Sequence, residues 1–163
     1  LCDTLKGQIQ YFLTRYHQVH NSYGRASILL NGKELVCFSW VEMYRQECHA
    51  SALYEENPHL SWDGIEAIMK PKWDEECTYC EMDFLSAALQ FLDLPIQKAL
   101  QSDNFIIKIL AILDRRVGKR TLRQIAGGGA YAEYPLWVRQ FYDLRLSALQ
   151  SDSRDPIVVR RRT

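Results

Sequence analysis

No run of about 18 consecutive apolar residues occurs in this 163-residue chain, so no segment predicts a membrane-spanning helix. The first ten residues, LCDTLKGQIQ, lack the basic, apolar and small-residue segments of a secretory signal. Cysteine is odd in number, at five, which favours reduced thiols over a disulfide framework. We therefore expect a cytoplasmic protein with no membrane partner.

The motifs of common enzyme classes are also missing. G-x-S-x-G, H-E-x-x-H and P-loop patterns do not occur, and His17, His20, His49 and His59 are scattered. Gly127-Gly128-Gly129 lacks the preceding strand and the following Lys-Ser/Thr of a phosphate-binding loop, so we interpret it as a linker. The sequence thus names no catalytic residue and no cofactor. An enzyme whose site is assembled from scattered residues is the third hypothesis for function.

Cys77-x-x-Cys80 has the spacing of a metal-ligand pair. A structural zinc site usually needs two such pairs, whereas Cys48-His49 consists of adjacent residues that point different ways on a helix. A thioredoxin-type site follows a strand and opens a helix, but this pair lies in an acidic stretch predicted to be helical, EECTYCEMD, whose charges oppose thiolate formation. We predict an inert pair and no bound metal.

What the chain does have is an ordinary globular composition, with 47% hydrophobic and 25% charged residues. We expect one domain over residues 1–150 and a flexible basic tail at 151–163. The formal net charge is zero, yet residues 1–100 hold 8 Lys/Arg against 14 Asp/Glu, and residues 101–163 hold 12 against 6. The two halves either attract each other within the fold, or the basic half faces an acidic partner or a phosphate backbone.

Residue periodicity predicts a mostly helical α+β fold. Apolar residues at helical spacing predict an N-terminal helix over 4–17. Asn31-Gly32, flanked by apolar runs, predicts a β-hairpin with strands near 26–30 and 33–38.

Beyond the hairpin, caps and breakers predict a compact multi-helix bundle. Ser39 and Glu42 form the capping box of a helix from 40 to about 54. Pro71 ends the next helix, and Asp74 begins a longer one that carries Phe84, Leu85, Ala88, Leu89 and Leu92 on one side. The helices that follow Ser39 are predicted at 40–54, 61–70, from 74, 95–101, 105–113, 119–126 and 135–148. HEAT-like helix pairing at the C-terminus is a second interpretation, although such arrays normally need about three repeats.

The most specific segment is ILAILDRRVGKRTL at 109–122, where a buried run meets five charges. One interpretation is a structural corner. Asp114 then accepts hydrogen bonds from the backbone at 117–118 or from Arg145, whose guanidinium offers a bidentate fork. Arg115 and Arg116 offset the dipole at the helix end.

The other interpretation is an exposed basic strip formed by Arg116, Lys119, Arg120 and Arg123. Residues 116, 120 and 123 share one helical face if Gly118 does not break the helix. The strip would bind an acidic protein or phosphates. It lacks interleaved aromatics, so single-strand stacking is not indicated.

Several segments together resemble a family of small uncharacterised bacterial cytoplasmic proteins. They are Gly24-Arg25, Lys33-Glu34, LAILDRRVGKRTL at 110–122 and FYDLRLSAL at 141–149. The similarity is firm over 85–149 and loose before it, and the cysteine pair is not part of the pattern. The resemblance implies a bacterial cytosolic protein and assigns no activity.

Missing catalytic motifs, split charge and 12% aromatic residues favour a non-catalytic macromolecule-binding protein whose partner is another protein. A nucleic-acid-associated protein that uses the basic strip is the second hypothesis. The oligomeric state is not predicted.

Overall fold

The computed structural model describes residues 1–15 and 24–152. The chain opens with a short 3₁₀ helix, Asp3–Leu5, and three strands, β1 (Ile9–Arg15), β2 (Gly24–Leu30) and β3 (Lys33–Ser39). The helices that follow are α1 (Trp40–Glu56), α2 (Trp62–Glu76), α3 (Glu81–Asp93), α4 (Ile96–Leu100), α5 (Phe105–Leu113), α6 (Lys119–Ala126), α7 (Gly129–Glu133) and α8 (Leu136–Asp152). This mostly helical α+β architecture confirms the predicted fold class. None of the described helices is both long and apolar enough to cross a membrane.

The three strands form an antiparallel sheet in the order β1-β2-β3. The predicted hairpin is confirmed, because β2 and β3 meet at Asn31-Gly32, whose φ angles are 51° and 79°. These are the two left-handed positions of a type I′ turn. One face of the sheet buries Ile28 and Phe38 completely against the helices.

The predicted N-terminal helix over 4–17 is wrong, because the chain forms β1 in its place; positions 16 and 17 lie outside the described residues. β1 pairs residue by residue with β2, from Ile9 opposite Leu30 to Arg15 opposite Gly24. A helix and a strand both fit the apolar pattern here, and pairing with β2, a contact distant in sequence, selects the strand.

Ser39 is confirmed as the N-cap residue of α1, although its side chain makes no capping hydrogen bond within the described part of the chain. The Glu42 side chain, the other half of the predicted capping box, lies outside that part. Ser61 caps α2 as predicted, since its hydroxyl accepts from the Gly64 N–H over 3.2 Å.

Two predicted helix boundaries near Pro71 are wrong. α2 continues through Pro71 to Glu76, and α3 begins at Glu81 rather than at Asp74. Pro71 lies on an exposed face, where water can bind the carbonyl that a proline leaves unpaired. The chain turns at Cys77, whose φ is 56°, and the Thr78 hydroxyl donates to the Trp73 carbonyl over 2.9 Å. The sequence has no glycine at this turn to indicate it.

The helical core is built around α5, whose bounds the sequence predicts correctly. Every residue of α5 except Phe105 is buried, and α5 packs against α3, α4 and α8. The helices thus form a bundle around one central helix. α1 and α2 enclose a second, smaller cluster at Ala50, Ile65 and Met69. α8 runs on to Asp152, and the rest of the tail predicted at 151–163 lies outside the described residues.

Candidate functional site

In the charged corner after α5, the Asp114 side chain forms hydrogen bonds with Arg116, two residues further along the chain. The Asp114 carboxylate accepts from the Arg116 backbone N–H over 2.8 Å, from Nε over 2.9 Å and from Nη2 over 3.2 Å. The predicted bond from the backbone at 117–118 is made by the main chain, since the Val117 N–H donates to the Asp114 backbone carbonyl over 3.2 Å. The Asp114 carboxylate itself bonds to Arg116, and the guanidinium of Arg145 donates elsewhere. An aspartate readily bonds the backbone two residues on, which brings the Arg116 side chain within reach as well. Burial alone would raise the pKa of Asp114, but the bonds from Arg116 outweigh it and lower that pKa.

Arg145 ties the same corner to α8 by a different contact. Its guanidinium is buried and donates to the Val117 carbonyl and to the Thr4 hydroxyl, over 3.3 Å in each case. The corner thus joins the last helix to the N-terminal segment. Arg115 is exposed and takes no part in this link.

The predicted basic strip is divided. Gly118 is the N-cap residue of α6 and has extended backbone, so Arg116 precedes the helix and does not share its face. Arg120 and Arg123 are both exposed. They share one face of α6 because they are three residues apart on the helix. Lys119 is half-buried. The Arg116 guanidinium lies over the Phe91 ring, 5.6 Å from its centroid.

An apolar groove of about 400 Å³ lies between β1 and α3, and sequence reasoning did not find it. Phe84, Phe91 and Leu92 line it from α3, and Leu110 lines it from α5. Asp114 also borders the groove, so the charged corner and the groove meet. The Tyr11 hydroxyl lies at this end, and its burial, with Asp114 nearby, raises the pKa of Tyr11 to about 12.

Large apolar side chains remain exposed around this groove. Leu92 is 74% exposed and Leu89 is 66% exposed. On β1, Tyr11 and Leu13 are each about half exposed on the groove side of the sheet, whereas Phe12, also half exposed, lies on the opposite face. Of the apolar helix side predicted to carry Phe84, Leu89 and Leu92, the structure buries Phe84 and leaves the two leucines exposed. Contiguous exposed apolar surface of this kind is typical of interaction sites.

A second apolar stripe on α3 is the sequence signal for this surface. Met82, Leu85, Leu89 and Leu92 recur every three or four residues beside the core-facing stripe of Phe84, Ala87 and the half-buried Phe91. A helix that packs one face on a core needs only one stripe. The second stripe of α3 therefore indicates a helix surface that contacts something other than the core.

The outer edge of β1 is unpaired within the described chain. The Asn31 N–H donates to the Gln8 carbonyl over 2.8 Å, which makes these two residues a hydrogen-bonded pair of the ladder. Because such pairs alternate in antiparallel sheets, Phe12 bonds to β2, whereas the N–H and C=O groups of Tyr11 and Leu13 point away from it. Among the described residues no hydrogen bond reaches those outward groups.

The opposite edge of the sheet is partly covered. The Gln140 side chain on α8 donates to the Leu35 carbonyl of β3 over 3.0 Å. Within residues 1–15 and 24–152, β1 therefore offers the open edge, and it is the edge that borders the groove.

The cysteine pair sits at the turn between α2 and α3, not inside a helix as predicted. Both thiols are buried, and Cys80 is the N-cap residue of α3, where its N–H donates to Asp83 over 2.8 Å. Burial raises the pKa of Cys80. His49 and His59 are exposed, and His17 and His20 lie outside the described residues.

No cluster of three or more His, Cys, Asp or Glu side chains that could hold a metal ion occurs within residues 1–15 and 24–152. The described site is therefore built from apolar side chains, backbone groups and one ion pair.

The fold and this surface define a class: a mostly helical α+β protein whose small sheet, in the part of the chain that the structure describes, leaves one strand edge open beside an apolar groove. The chain belongs to the SF0329 protein family, whose model matches residues 1–146. The match includes both β1 and α3. No curated protein and no solved structure matches the chain.

Proposed function

We propose that the protein is a non-catalytic binding protein that holds an extended, apolar segment of a partner protein against β1 and α3. The observation that supports this proposal is the open edge of β1 beside the apolar groove. An open strand edge is a template for another strand, and proteins normally cover or charge it. Here Tyr11, Phe12 and Leu13 leave it apolar.

The backbone of β1 specifies the shape of the partner segment. The outward N–H and C=O groups of Tyr11 and Leu13 are two residues apart, which is the spacing of a ladder with an added strand. Side chains of an added strand alternate between its two faces. Every second side chain would then enter the groove beside Phe84 and Leu92, so the segment carries apolar residues at alternate positions.

A protein partner fits this surface better than a nucleic acid does. The groove is lined mainly by carbon, and the Arg116 guanidinium at its end is already paired with Asp114. Arg120 and Arg123 lie on α6, where exposed cations accelerate association with an acidic flank of the partner segment. Nucleic-acid binding through these arginines and Lys119 would instead weaken steeply with salt.

We also propose that the protein acts in a bacterial cytosol. All five cysteines carry free thiols in the structure, which suits a reducing compartment.

Site-specific photo-cross-linking tests the proposal in cells. A photoreactive amino acid replaces Leu92 at the groove, and a matched control replaces Leu136, which is 67% exposed at the start of α8 and does not line the groove. We expect a protein adduct from position 92 alone, attached within a segment of alternating apolar residues. Equal adducts from both positions, or an adduct to nucleic acid, would contradict the proposal.

A synthetic peptide of the cross-linked segment then completes the test. It should bind the purified protein, and Leu92→Ser should weaken that binding at least about tenfold, because one buried leucine contributes about 1.5–3 kcal/mol. Leu136→Ser should leave the affinity unchanged. A peptide that fails to bind the purified protein would show that the adduct arose from chance contact.

A further inference from the structure

Lys108 is a buried cation on the central helix α5. The residue is 7% exposed, and its Nζ lies 3.4 Å from the Tyr134 hydroxyl and 4.5 Å from the centroid of the Tyr134 ring. The Phe105 ring centroid lies 5.7 Å away. None of the ion pairs formed among the described residues includes Lys108. A buried ammonium group normally pairs with an anion, since removing its charge from water is costly.

This ammonium group borders a cavity of about 470 Å³ between α4, α5 and α6. The other polar side chains that line the cavity are Gln97, Gln101, Thr121, Gln124 and Tyr134. Among the residues that the structure describes, no acidic side chain lines it. The cavity thus has one positive charge, several neutral hydrogen-bonding groups and the volume of a small-molecule site.

The cavity is separate from the groove beside β1. Lys108 lines the cavity and Leu110 lines the groove, and two residues apart on a helix they leave on nearly opposite faces. A ligand in one site would therefore not contact a segment in the other.

We propose that this cavity binds a small monocarboxylate that carries further hydroxyl or amide groups. The single ammonium group of Lys108 balances one carboxylate, whereas a doubly charged phosphate would keep one negative charge that no described cation of the cavity wall balances. The amides of Gln97, Gln101 and Gln124 both donate and accept, which suits neutral polar groups on the rest of the ligand.

Tyr134 positions the ammonium group for this role. Its ring attracts the cation from one side, and its hydroxyl occupies one of the three hydrogen-bonding directions of Nζ. The remaining directions are available to a carboxylate. Lys108 lies on α5 and Tyr134 is the C-cap residue of α7, so the site forms only when the bundle is folded.

An NMR titration tests this inference by following the chemical shifts of the whole chain as a small molecule is added. The probes are lactate and N-acetylglycine, with the neutral compounds lactamide and N-acetylglycinamide as matched controls and inorganic phosphate as a separate arm. We expect both carboxylates to shift the signals of Thr121, Gln124 and Lys108 with affinities in about the millimolar range. The neutral amides and phosphate should leave these signals unchanged.

Variants then identify the recognising group. Lys108→Met removes the charge with little change of shape and should weaken carboxylate binding at least about tenfold. Lys98→Met removes an exposed lysine from α4 and should have no effect. Thr121→Val removes one hydroxyl at the cavity wall and should weaken carboxylate binding a few-fold. This variant replaces Lys108→Met in the test if Lys108→Met fails to fold.

The result that overturns the inference is equally specific. Carboxylates that shift no cavity signal, or that bind Lys108→Met as well as the parent chain, would show that Lys108 is only a packed side chain. Phosphate binding without carboxylate binding would show that the ligand class is wrong.

Discussion

The guanidinium of Arg145 donates a hydrogen bond to the backbone carbonyl of Val117 over 3.3 Å, and both residues are buried. This contact joins α8 to the turn that follows α5. The guanidinium also reaches the Thr4 hydroxyl, so three distant parts of the chain meet at one side chain. The turn after the buried run of α5 is therefore held by a donor from α8, in addition to the local bond between Asp114 and Arg116.

Replacing Arg145 should therefore destabilise the whole fold. Arg145→Ala leaves the Val117 carbonyl unpaired and opens a cavity, and we expect a loss of about 2–4 kcal/mol in the free energy of unfolding. Arg115→Ala, an exposed neighbour, should cost less than about 0.5 kcal/mol. Urea unfolding measures the free energy of unfolding of both variants. Equal values for the two variants would show that the Arg145 contact does not stabilise the fold.

The Asp114–Arg116 pair predicts a pH dependence. The pKa of Asp114 is lowered in the folded protein, so the stability it contributes is present above its unfolded pKa of about 3.9 and is lost as pH falls through the folded value. Asp114→Asn should cost about 1 kcal/mol at pH 7, and the difference from the parent chain should narrow near pH 3. Urea unfolding at the two pH values checks this. A difference that stays constant with pH would exclude the carboxylate as its source.

The β2–β3 turn predicts a strong preference at position 32. Gly32 has a φ of 79° and open space around the position of a Cβ atom, so a larger residue there is opposed by backbone strain alone. Gly32→Val should cost about 1–2 kcal/mol, whereas Gly32→Asn should cost clearly less because asparagine tolerates left-handed backbone. Thermal unfolding compares the two. Similar losses would mean that side-chain size, not φ, limits this position.

The exposed arginines of α6 should affect binding without affecting stability. Arg120→Ala and Arg123→Ala should each cost less than about 0.5 kcal/mol in unfolding free energy, because neither side chain is buried. Each should slow association with the cross-linked peptide at low salt. Stopped-flow kinetics at two salt concentrations measures this effect. An association rate that neither variant changes would exclude these arginines from the interface.

Local signals predicted the parts of the fold that local interactions determine. Asn31-Gly32 encodes its turn directly, and the apolar run of α5 cannot be exposed, so both were found from the sequence. β1 was missed because its apolar residues fit two periodicities and the choice depends on pairing with β2. The turn at Cys77 was missed because a contact between Thr78 and Trp73, not a glycine, stabilises it.

The candidate site was harder to predict for the same reason. The groove exists only where β1 lies beside α3, and no sequence spacing brings Tyr11 near Phe84, whose ring centroids are 6.4 Å apart. Lys108 stands inside an apolar run, where its charge is visible in the sequence but its cavity is not. The charges at 114–116 were visible, yet their partners depend on how α5, α8 and the N-terminal segment pack.

Amide hydrogen exchange by NMR, with and without the cross-linked peptide, tests the central claim most directly. The outward N–H groups of Tyr11 and Leu13 should exchange rapidly in the free protein and become protected in the complex. The N–H of Phe12, already bonded to β2, is the internal control and should change little. Protection of Tyr11 and Leu13 with Phe12 unchanged is the result that strand addition predicts. A peptide that binds tightly while both amides still exchange freely would contradict it.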